Sequence, residues 1–297
     1  MAGAARLLLW EHEKLACMES ELLIKQEAPT YDSSRPRRLI LDEFNELIRY
    51  KDLLRNLVRR NVTSRYKRSV LGVLWTLLDP LFTMIVMAVV FGALFQQSVP
   101  RFSLFLFSGI VIWNFISQSS TQAIADLMYG GSLLNLVYLP RSVYAFAAIG
   151  TGLANLGFAL IPLVLLMLFS GAPFSWALFF LPVSLLIVSV FTLGYGLLMS
   201  AFSVFFADVL NIHGVLMQLL MWLSGIFYTL EFMPENVQKL IGMVPTYHMV
   251  AIFRAPIHNA QLPSAVSVLY AAGVAGLIFV LGFWVFMRLS DAIAYRV

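Results

Sequence analysis

Long apolar segments alternate with short polar ones over most of the chain after residue 68. Asp, Glu, Lys and Arg are absent from the stretches 80–100, 102–125, 142–207, 209–230 and 255–287. The longest stretch is divided by Ser170-Gly171-Ala172-Pro173, a composition typical of a turn. A helix needs about 20 apolar residues to cross the hydrocarbon core of a bilayer. The pattern therefore predicts an all-α membrane protein with six spanning helices, near 72–95, 104–125, 146–169, 176–203, 209–229 and 266–287.

The first 68 residues have a different pattern, in which charged and apolar positions are mixed. They predict a short amphipathic helix over 1–27, a linker containing Pro and Ser over 27–38, and a second amphipathic helix over 39–68 that lies along the inner membrane surface. The chain is thereby divided into a cytoplasmic part, residues 1–68, and a six-helix membrane domain, residues 69–297.

Basic residues indicate which side of the membrane each segment occupies. Of the 20 Lys and Arg residues, 11 lie between Arg35 and Arg68, directly before the first predicted span. Because Lys and Arg accumulate on the cytoplasmic side, the N-terminus is expected inside, and six spans bring the C-terminus inside as well. The segment Asp126–Arg141 then lies inside and the segment from Glu231 to about Pro263 outside. Both are expected to hold short helices.

Composition excludes several other classes of protein. Hydrophobic residues make up 60% of the chain and charged residues 12%, whereas a soluble domain has about half and about a quarter. The net charge of +4 comes from basic residues beside the first span, which suits the surface of the plasma membrane and not a nucleic acid. The single cysteine, Cys17, excludes an internal disulfide and a cysteine-based metal cluster.

The sequence contains no motif for ATP hydrolysis. A phosphate-binding loop needs a lysine in the pattern Gly-x-x-x-x-Gly-Lys-Ser/Thr, and no lysine of the chain has this context. ATP hydrolysis, if transport uses it, is therefore expected on a separate chain, and no cofactor or metal is expected on this one. His248 and His258 are weak evidence for a metal site. Asp79 and Asp208 lie within or beside predicted spans and are interpreted as structural, with helix capping as one role.

Several motifs together resemble one family of transporters. The first span is preceded by Leu57-Val58-Arg59-Arg60-Asn61-Val62 and Arg65-Tyr66-Lys67-Arg68-Ser69-Val70-Leu71-Gly72-Val73-Leu74-Trp75, and Asp79-Pro80-Leu81 follows. Further along are Tyr138-Leu139-Pro140-Arg141, Phe206-Ala207-Asp208-Val209, and the segment from Met233-Pro234 through Pro245 to Arg254. Over residues 30–297 the chain resembles the transmembrane (permease) subunits of type-2 ABC polysaccharide exporters for O-antigen, capsule and teichoic acid. It departs from them at Val244, where they often have Asn, and in the extension before Ala28.

The resemblance implies a homodimer of this chain that encloses a wide channel, with each copy seated on a separate nucleotide-binding subunit that carries ATP-Mg. The implied cargo is an undecaprenyl-pyrophosphate-linked polysaccharide such as O-antigen. The inner loop between residues 126 and 141 is similar to the helix that couples such subunits to their ATPase, although an ordinary loop on lipid headgroups would have the same composition. The candidate coupling residues are Tyr129, Leu133, Leu134, Leu136 and Arg141.

Two further groups of residues have the chemistry to contact a lipid-linked glycan. Arg and Lys bind phosphate oxygens, so the basic cluster before the first span is a candidate site for the lipid pyrophosphate, with simple membrane anchoring as the alternative. This cluster comprises Arg59, Arg60, Arg65, Lys67 and Arg68. Aromatic rings offer faces on which sugars slide, although such rings also pack at membrane interfaces. The candidate channel residues are Trp75, Phe82, Trp222, Phe227 and Tyr228.

The outer segment is similar to the re-entrant gate helices of the same family, and its candidate gate residues are Glu231, Pro234, Pro245 and Arg254. Three rival functions stay open at this point. The chain could export drugs or other lipids, act as an intramembrane enzyme on lipid-linked sugars, or serve as a scaffold. The scattered acidic residues after residue 68 disfavour the enzyme, because catalysis needs such groups gathered at one membrane depth.

Overall fold

The apolar runs fold into long helices. A computed structural model describes residues 49–66, 74–95, 99–129 and 142–294, and its described residues form helices and no β-strand. The α-helices are α1 Lys51–Tyr66, α2 Leu74–Phe95, α3 Val99–Tyr129, α4 Ser142–Phe169, α5 Leu181–Ser203, α6 Val209–Leu223, α7 Glu235–Gly242, α8 Pro245–Arg254 and α9 Ala265–Ala294. A 3-10 turn at Trp176–Phe180 leads into α5, a second lies at Leu230–Phe232, and a π-helical turn at Ala255–Asn259 follows α8.

Four helical segments of the described chain are long and apolar enough to cross a membrane. They are Arg101–Tyr129, Ser142–Phe169, Trp176–Ser203 and Ala265–Leu289. These segments overlap the second, third, fourth and sixth predicted spans, and they confirm an all-helical, multi-pass membrane protein in the part of the chain that is described.

The segment before the last span forms a bent helix pair. The segments Glu235–Gly242 and Pro245–Asn259 together are apolar enough for a fifth span, but they meet at an angle of 89°. The bend follows from the sequence, since the residue before a proline is disfavoured in the helical region. Val244 accordingly adopts φ −79° and ψ 119°, and α8 begins at Pro245. The prediction of short helices in this segment is confirmed.

The remaining two predicted spans coincide with α2 and α6. The 22 residues of α2 extend for about 33 Å, which matches the membrane core of about 30 Å. The 15 residues of α6 extend for about 22 Å, and this helix ends at Leu223, before the predicted boundary at residue 229. Gly225 at φ 63° turns the chain sharply just after α6, which accounts for its early end.

The third helix lies at the centre of the fold. In the most apolar 18-residue stretch of α3, 83% of the residues are buried, whereas 17% are buried in the corresponding stretch of α9. It packs against α2, α4, α5, α6 and α8. Its fully buried side chains include Leu104, Phe107, Ile112, Ile116 and Leu127. Residues at both ends of α3 therefore contact several other elements at once.

Small residues allow α5 and α9 to cross closely. A Cβ atom at Gly194 would overlap the backbone of Phe279, and one at Gly282 would overlap the carbonyl of Gly194. Membrane helices use such positions because close backbone approach replaces the hydrophobic driving force that water would supply. Much of the rest of α9 is exposed and apolar, including Leu277, Val280 and Trp284.

The amphipathic helix α1 packs on the side of α4. Leu57 is buried together with Val143 and Ala147 of α4, and Leu54 and Val58 pack around them. The second predicted amphipathic helix is described as a helix over residues 51–66, and its position along the membrane surface stays a prediction. The first predicted helix, the linker and residues 39–48 lie outside the described residues. All described residues belong to a single compact unit that starts at Glu43.

Candidate functional site

A buried arginine organises the end of the fold where α8 meets α6. The guanidinium of Arg254 donates from Nη1 to the carbonyl of Gly225 at 2.8 Å and from Nη2 to the carbonyl of Ile226 at 3.3 Å. Its central carbon lies 3.7 Å from the ring centroid of Phe105 on α3. The side chain is 9% exposed. This arginine therefore holds the backbone after α6 against both α8 and α3.

Hydroxyl groups add further contacts around the same turn. The side-chain oxygens of Ser224 and Thr246 are 2.6 Å apart, and this hydrogen bond links the end of α6 to α8. Ser184 of α5 donates to the carbonyl of Ile252 at 2.9 Å. Tyr228 donates to the carbonyl of Trp222 at 2.6 Å. The turn after α6 is thus fixed by Arg254 and Thr246 of α8 and by its own Tyr228, while Ser184 connects α5 to α8.

A polar pocket, here called the Arg254 pocket, opens beside this turn with a volume of about 270 Å³. It contains one cation, one carboxylate, several hydroxyl and amide groups, and three aromatic rings. Its lining residues are Phe105, Gly225, Tyr228, Thr229, Leu230, Glu231, Tyr247, Ala251, Arg254, Ala255, Asn259, Pro263, Ser264 and Ser267. Two predicted gate residues, Glu231 and Arg254, and one predicted channel residue, Tyr228, therefore meet in one place.

The other predicted gate residues determine helix boundaries instead of lining the pocket. Pro234 precedes α7 as its N-cap residue, and Pro245 is the first residue of α8. A proline is compatible with both positions because it has no backbone N–H to leave unpaired there.

The two histidines of this region make separate contacts. His248 donates from Nε2 to the carbonyl of Gly242 at 2.8 Å, whereas Nδ1 of His258 is 2.8 Å from Oδ1 of Asn259.

The predicted channel aromatics fall into two groups. Trp75 and Phe82 are exposed on α2. Trp222 is exposed at the end of α6, and its ring centroid lies 4.9 Å from that of Phe227. Phe227 is buried, and Tyr228 binds the backbone of Trp222. The fold thus brings three of the five residues together around the turn after α6, where Tyr228 lines the Arg254 pocket, and places the other two on a separate helix.

A polar group that the sequence pattern did not reveal lies around His213. Nδ1 of His213 is 3.0 Å from the hydroxyl of Tyr195, and Nε2 is 3.1 Å from Thr121 and 3.4 Å from Ser120. The group joins α3, α5 and α6 inside the bundle. A signal for it existed in the run Ser119-Ser120-Thr121-Gln122, because four polar residues in succession are unusual within a membrane span.

The opposite end of α3 carries an acidic residue that contacts α1. Asp126 accepts from Nε2 of Gln122 at 2.6 Å and from Nδ2 of Asn61 on α1 at 3.3 Å. Arg60 lies near enough to interact electrostatically with the carboxylate. Both Arg59 and Arg60 are exposed on α1. The structure therefore places one member of the predicted basic cluster, Arg60, beside Asp126.

The remaining predicted residues divide between described and undescribed parts of the chain. Tyr129 ends α3 and is exposed. The described part of the chain does not include Lys67, Arg68, Leu133, Leu134, Leu136 and Arg141, nor the side chain of Arg65.

The two aspartates predicted to be structural are both described. Asp208 is the N-cap residue of α6, although its side chain makes no capping hydrogen bond there. Asp79 lies within α2 and not at its start, so the capping prediction for it is wrong. Membrane helices tolerate a following proline inside the helix.

These features define a class of protein, a multi-pass helical membrane protein with a bent helix pair before its last span. The model of the ABC-2 type transporter family matches residues 52–257, and the chain belongs to this family. It is therefore the membrane subunit of a transporter, as the resemblance implied, and not an intramembrane enzyme.

Individual relatives have informative names. The chain is 29% identical to the O-antigen export system permease protein RfbA of Myxococcus xanthus, over 77% of this chain and 89% of that protein. It is 25% identical to an RfbA of Klebsiella pneumoniae, over 80% of this chain and 92% of that protein. It is 24% identical to the capsule polysaccharide export inner-membrane protein CtrC of Neisseria meningitidis serogroup A, over 70% and 80% respectively.

Proposed function

We propose that this chain is the membrane-spanning subunit of an ATP-driven exporter that carries a lipid-linked polysaccharide, of the O-antigen or capsule type, across the inner membrane. The observation that carries the proposal is the similarity over most of the chain to relatives named as O-antigen export permeases. An undecaprenyl-pyrophosphate carrier is the lipid that the resemblance implies, and the exposed guanidinium groups of Arg59 and Arg60 on α1 have the chemistry to bind its phosphates.

The proposed transporter contains two copies of this chain and two separate ATPase subunits. The helices α2 and α6 complete six spans per copy, with both termini in the cytoplasm. The basic residues before α2 support this orientation. The loop that follows Tyr129 then lies on the cytoplasmic side and is the segment on which the ATPase acts.

The geometry at the inner end of α3 supports communication between the basic helix and that loop. Asn61 on α1 binds Asp126, which lies one turn before the end of α3 at Tyr129. A displacement of α1 by a bound lipid phosphate would therefore act directly on the helix that leads into the loop. Residues 130–141 contain the proposed coupling residues Leu133, Leu134, Leu136 and Arg141.

An exporter of smaller lipids or drugs is the second candidate. The chain is also 25% identical, over 60% of its length, to the inner membrane transport permease YadH of Escherichia coli. The two candidates differ in cargo and share the same ATPase partner. A test of cargo therefore has to be separate from a test of coupling.

Coupling is tested by co-expressing the chain with a candidate ABC ATPase of the same organism, purifying the two together and measuring ATP hydrolysis. We expect the two chains to co-purify, and we expect activity to fall at least fivefold when Leu133 and Leu134 are both replaced by Ala. The matched control replaces Leu165 and Leu168, which are exposed on α4, and should leave hydrolysis unchanged. A chain that co-purifies with no ATPase would contradict the proposal.

Cargo is tested in the native host by deleting the gene for this chain and staining the cell surface for glycan. We expect the lipid-linked glycan to accumulate inside and the surface glycan to disappear, and we expect the intact gene to restore it. Unchanged surface glycan together with an intact ATPase complex would favour the smaller cargo instead.

A further inference from the structure

The helix α6 is held to the rest of the chain by few buried side chains. Two of its 15 residues are buried, His213 and Met217, whereas 12 of the 23 residues of α5 are buried. The large apolar residues that α6 exposes are Ile212, Val215, Leu219 and Trp222. One of the two buried residues is polar, and His213 is only 1% exposed. Its hydrogen bonds therefore matter more for the position of α6 than polar contacts do on a well-buried helix.

The hydroxyl groups on the α3 side of His213 use their protons within α3. Oγ of Ser120 lies 2.7 Å from the carbonyl oxygen of Ile116, and Oγ1 of Thr121 lies 2.7 Å from the carbonyl oxygen of Ser117. A carbonyl oxygen can only accept and a hydroxyl has a single proton, so both hydroxyls donate to these carbonyls. Towards His213, both hydroxyl oxygens are therefore acceptors.

This arrangement determines which nitrogen of the imidazole carries the proton. Nε2 of His213 is 3.1 Å from Oγ1 of Thr121 and 3.4 Å from Oγ of Ser120, so Nε2 is the protonated nitrogen. Nδ1 is 3.0 Å from the hydroxyl of Tyr195. In a neutral ring Nδ1 only accepts, and Tyr195 donates to it. In a cationic ring both nitrogens would donate, and the tyrosine proton would lose this acceptor.

The contacts form a directed chain of hydrogen bonds through three helices. Tyr195 of α5 donates to His213 of α6, His213 donates to Thr121 of α3, and Thr121 donates to a carbonyl of its own helix. Polar side chains join helices in this way inside membrane proteins. Because a buried polar group without a partner is costly, loss of the imidazole affects the contacts to both neighbouring helices at once.

We propose that neutral His213 is a positioning residue that fixes α6 to α3 and α5. Resting on the proposed function, His213 thereby sets the place of Trp222, the candidate channel residue near the end of the same helix. The two residues are about 14 Å apart along the helix axis, so a shift or rotation of α6 at His213 would also move the ring of Trp222.

NMR spectroscopy of the full chain in lipid bilayers, with isotope-labelled histidine, tests the position of the proton. The signal of His213 is assigned by its loss in His213→Gln and, independently, by its shift in Tyr195→Phe. We expect a neutral ring with its proton on Nε2 at neutral pH. A proton on Nδ1 alone, or a cationic ring, would overturn the proposal.

Double-mutant cycles on the unfolding equilibrium of the purified full chain test the two partners. His213→Leu is combined with Thr121→Val in one cycle and with Tyr195→Phe in another. A hydrogen bond between membrane helices changes this equilibrium about threefold, so we expect a coupling factor of about three in each cycle. Thr192→Val is the control, because the buried hydroxyl of Thr192 donates to the carbonyl of Val188 within α5, and it should show no coupling to His213. Independent effects in both test cycles would contradict the chain of hydrogen bonds.

Conservative replacements separate positioning from the filling of space. The amide nitrogen of Gln reaches the place of Nε2 and can still donate to Thr121, whereas Leu can bind neither partner. At equal amounts of chain in the membrane, we expect His213→Gln to export about three times more glycan to the cell surface than His213→Leu, or more. Equal export by the two variants would overturn the positioning role. If the unaltered chain exports no glycan, the proposed function fails, while the NMR and coupling measurements still decide whether His213 fixes α6.

Discussion

The two ends of α3 hold charge in different ways. Near its beginning, Phe105 supports the buried Arg254, whose hydrogen bonds go to backbone carbonyls. Near its other end, the half-buried Asp126 binds the side chains of Gln122 and Asn61. If a buried charged group moves away from its backbone partners, the buried charge and the carbonyls both lose their hydrogen bonds. Partly exposed side chains can instead replace a lost partner with water. The first end is therefore expected to be rigid and the second to open at low cost.

The largest expected effect comes from removing the buried arginine. In Arg254→Met the carbonyls of Gly225 and Ile226 lose their donors. Hydrogen bonds to charged groups contribute about 1.5–3 kcal/mol each, so we expect the free energy of unfolding in detergent to fall by about 3 kcal/mol or more. The control is Arg288→Met, since Arg288 is exposed and lies 4.8 Å from the ring centroid of Trp284. Equal effects at both positions would remove the distinction.

An intermediate effect is expected from crowding the same arginine without removing it. A Cβ atom at Gly109 would overlap the guanidinium of Arg254 and lie 3.2 Å from Cγ2 of Ile226. Overpacking of this kind costs about 1–3 kcal/mol, and we expect Gly109→Ala to lower the unfolding temperature accordingly. Gly157→Ala is the matched control because a Cβ atom there meets nothing within 4 Å. A stable Gly109→Ala protein would show that the turn after α6 can move.

The smallest effect is expected at the end of α3 that carries Asp126. Asn61→Ala removes a hydrogen bond of 3.3 Å to Asp126, which we expect to cost about 1 kcal/mol or less. Hydrogen exchange of the α1 amides should then rise by up to about fivefold, since 1 kcal/mol corresponds to about that factor. Asn56→Ala, at an exposed position on the same helix, should leave exchange unchanged. If Asn61→Ala unfolded the whole protein, the end of α3 at Asp126 would be rigid and not easily opened, contrary to this prediction.

Sequence patterns predicted the membrane helices better than they predicted the site. The second, third, fourth and sixth spans are helices of membrane length, and short helices were predicted for the segment that forms the bent pair. The early end of α6 at Leu223 was missed, because a glycine within an apolar run does not by itself announce a turn at positive φ. The resemblance identified Arg254 as a candidate gate residue, but nothing in the sequence indicated that its side chain binds the carbonyls of Gly225 and Ile226.

What the sequence determined by itself is the class of protein and the places where it crosses the membrane. The cost of placing charged groups in lipid acts on each segment separately, so the lengths of the apolar runs predict the spans without knowledge of their neighbours. Only the tertiary structure decided which groups accept hydrogen bonds from Arg254, because the two acceptors lie 28 and 29 residues away along the chain. Contacts between distant segments depend on how helices pack, and the positions of Phe105, Thr229 and Ser267 around one pocket follow from that packing alone.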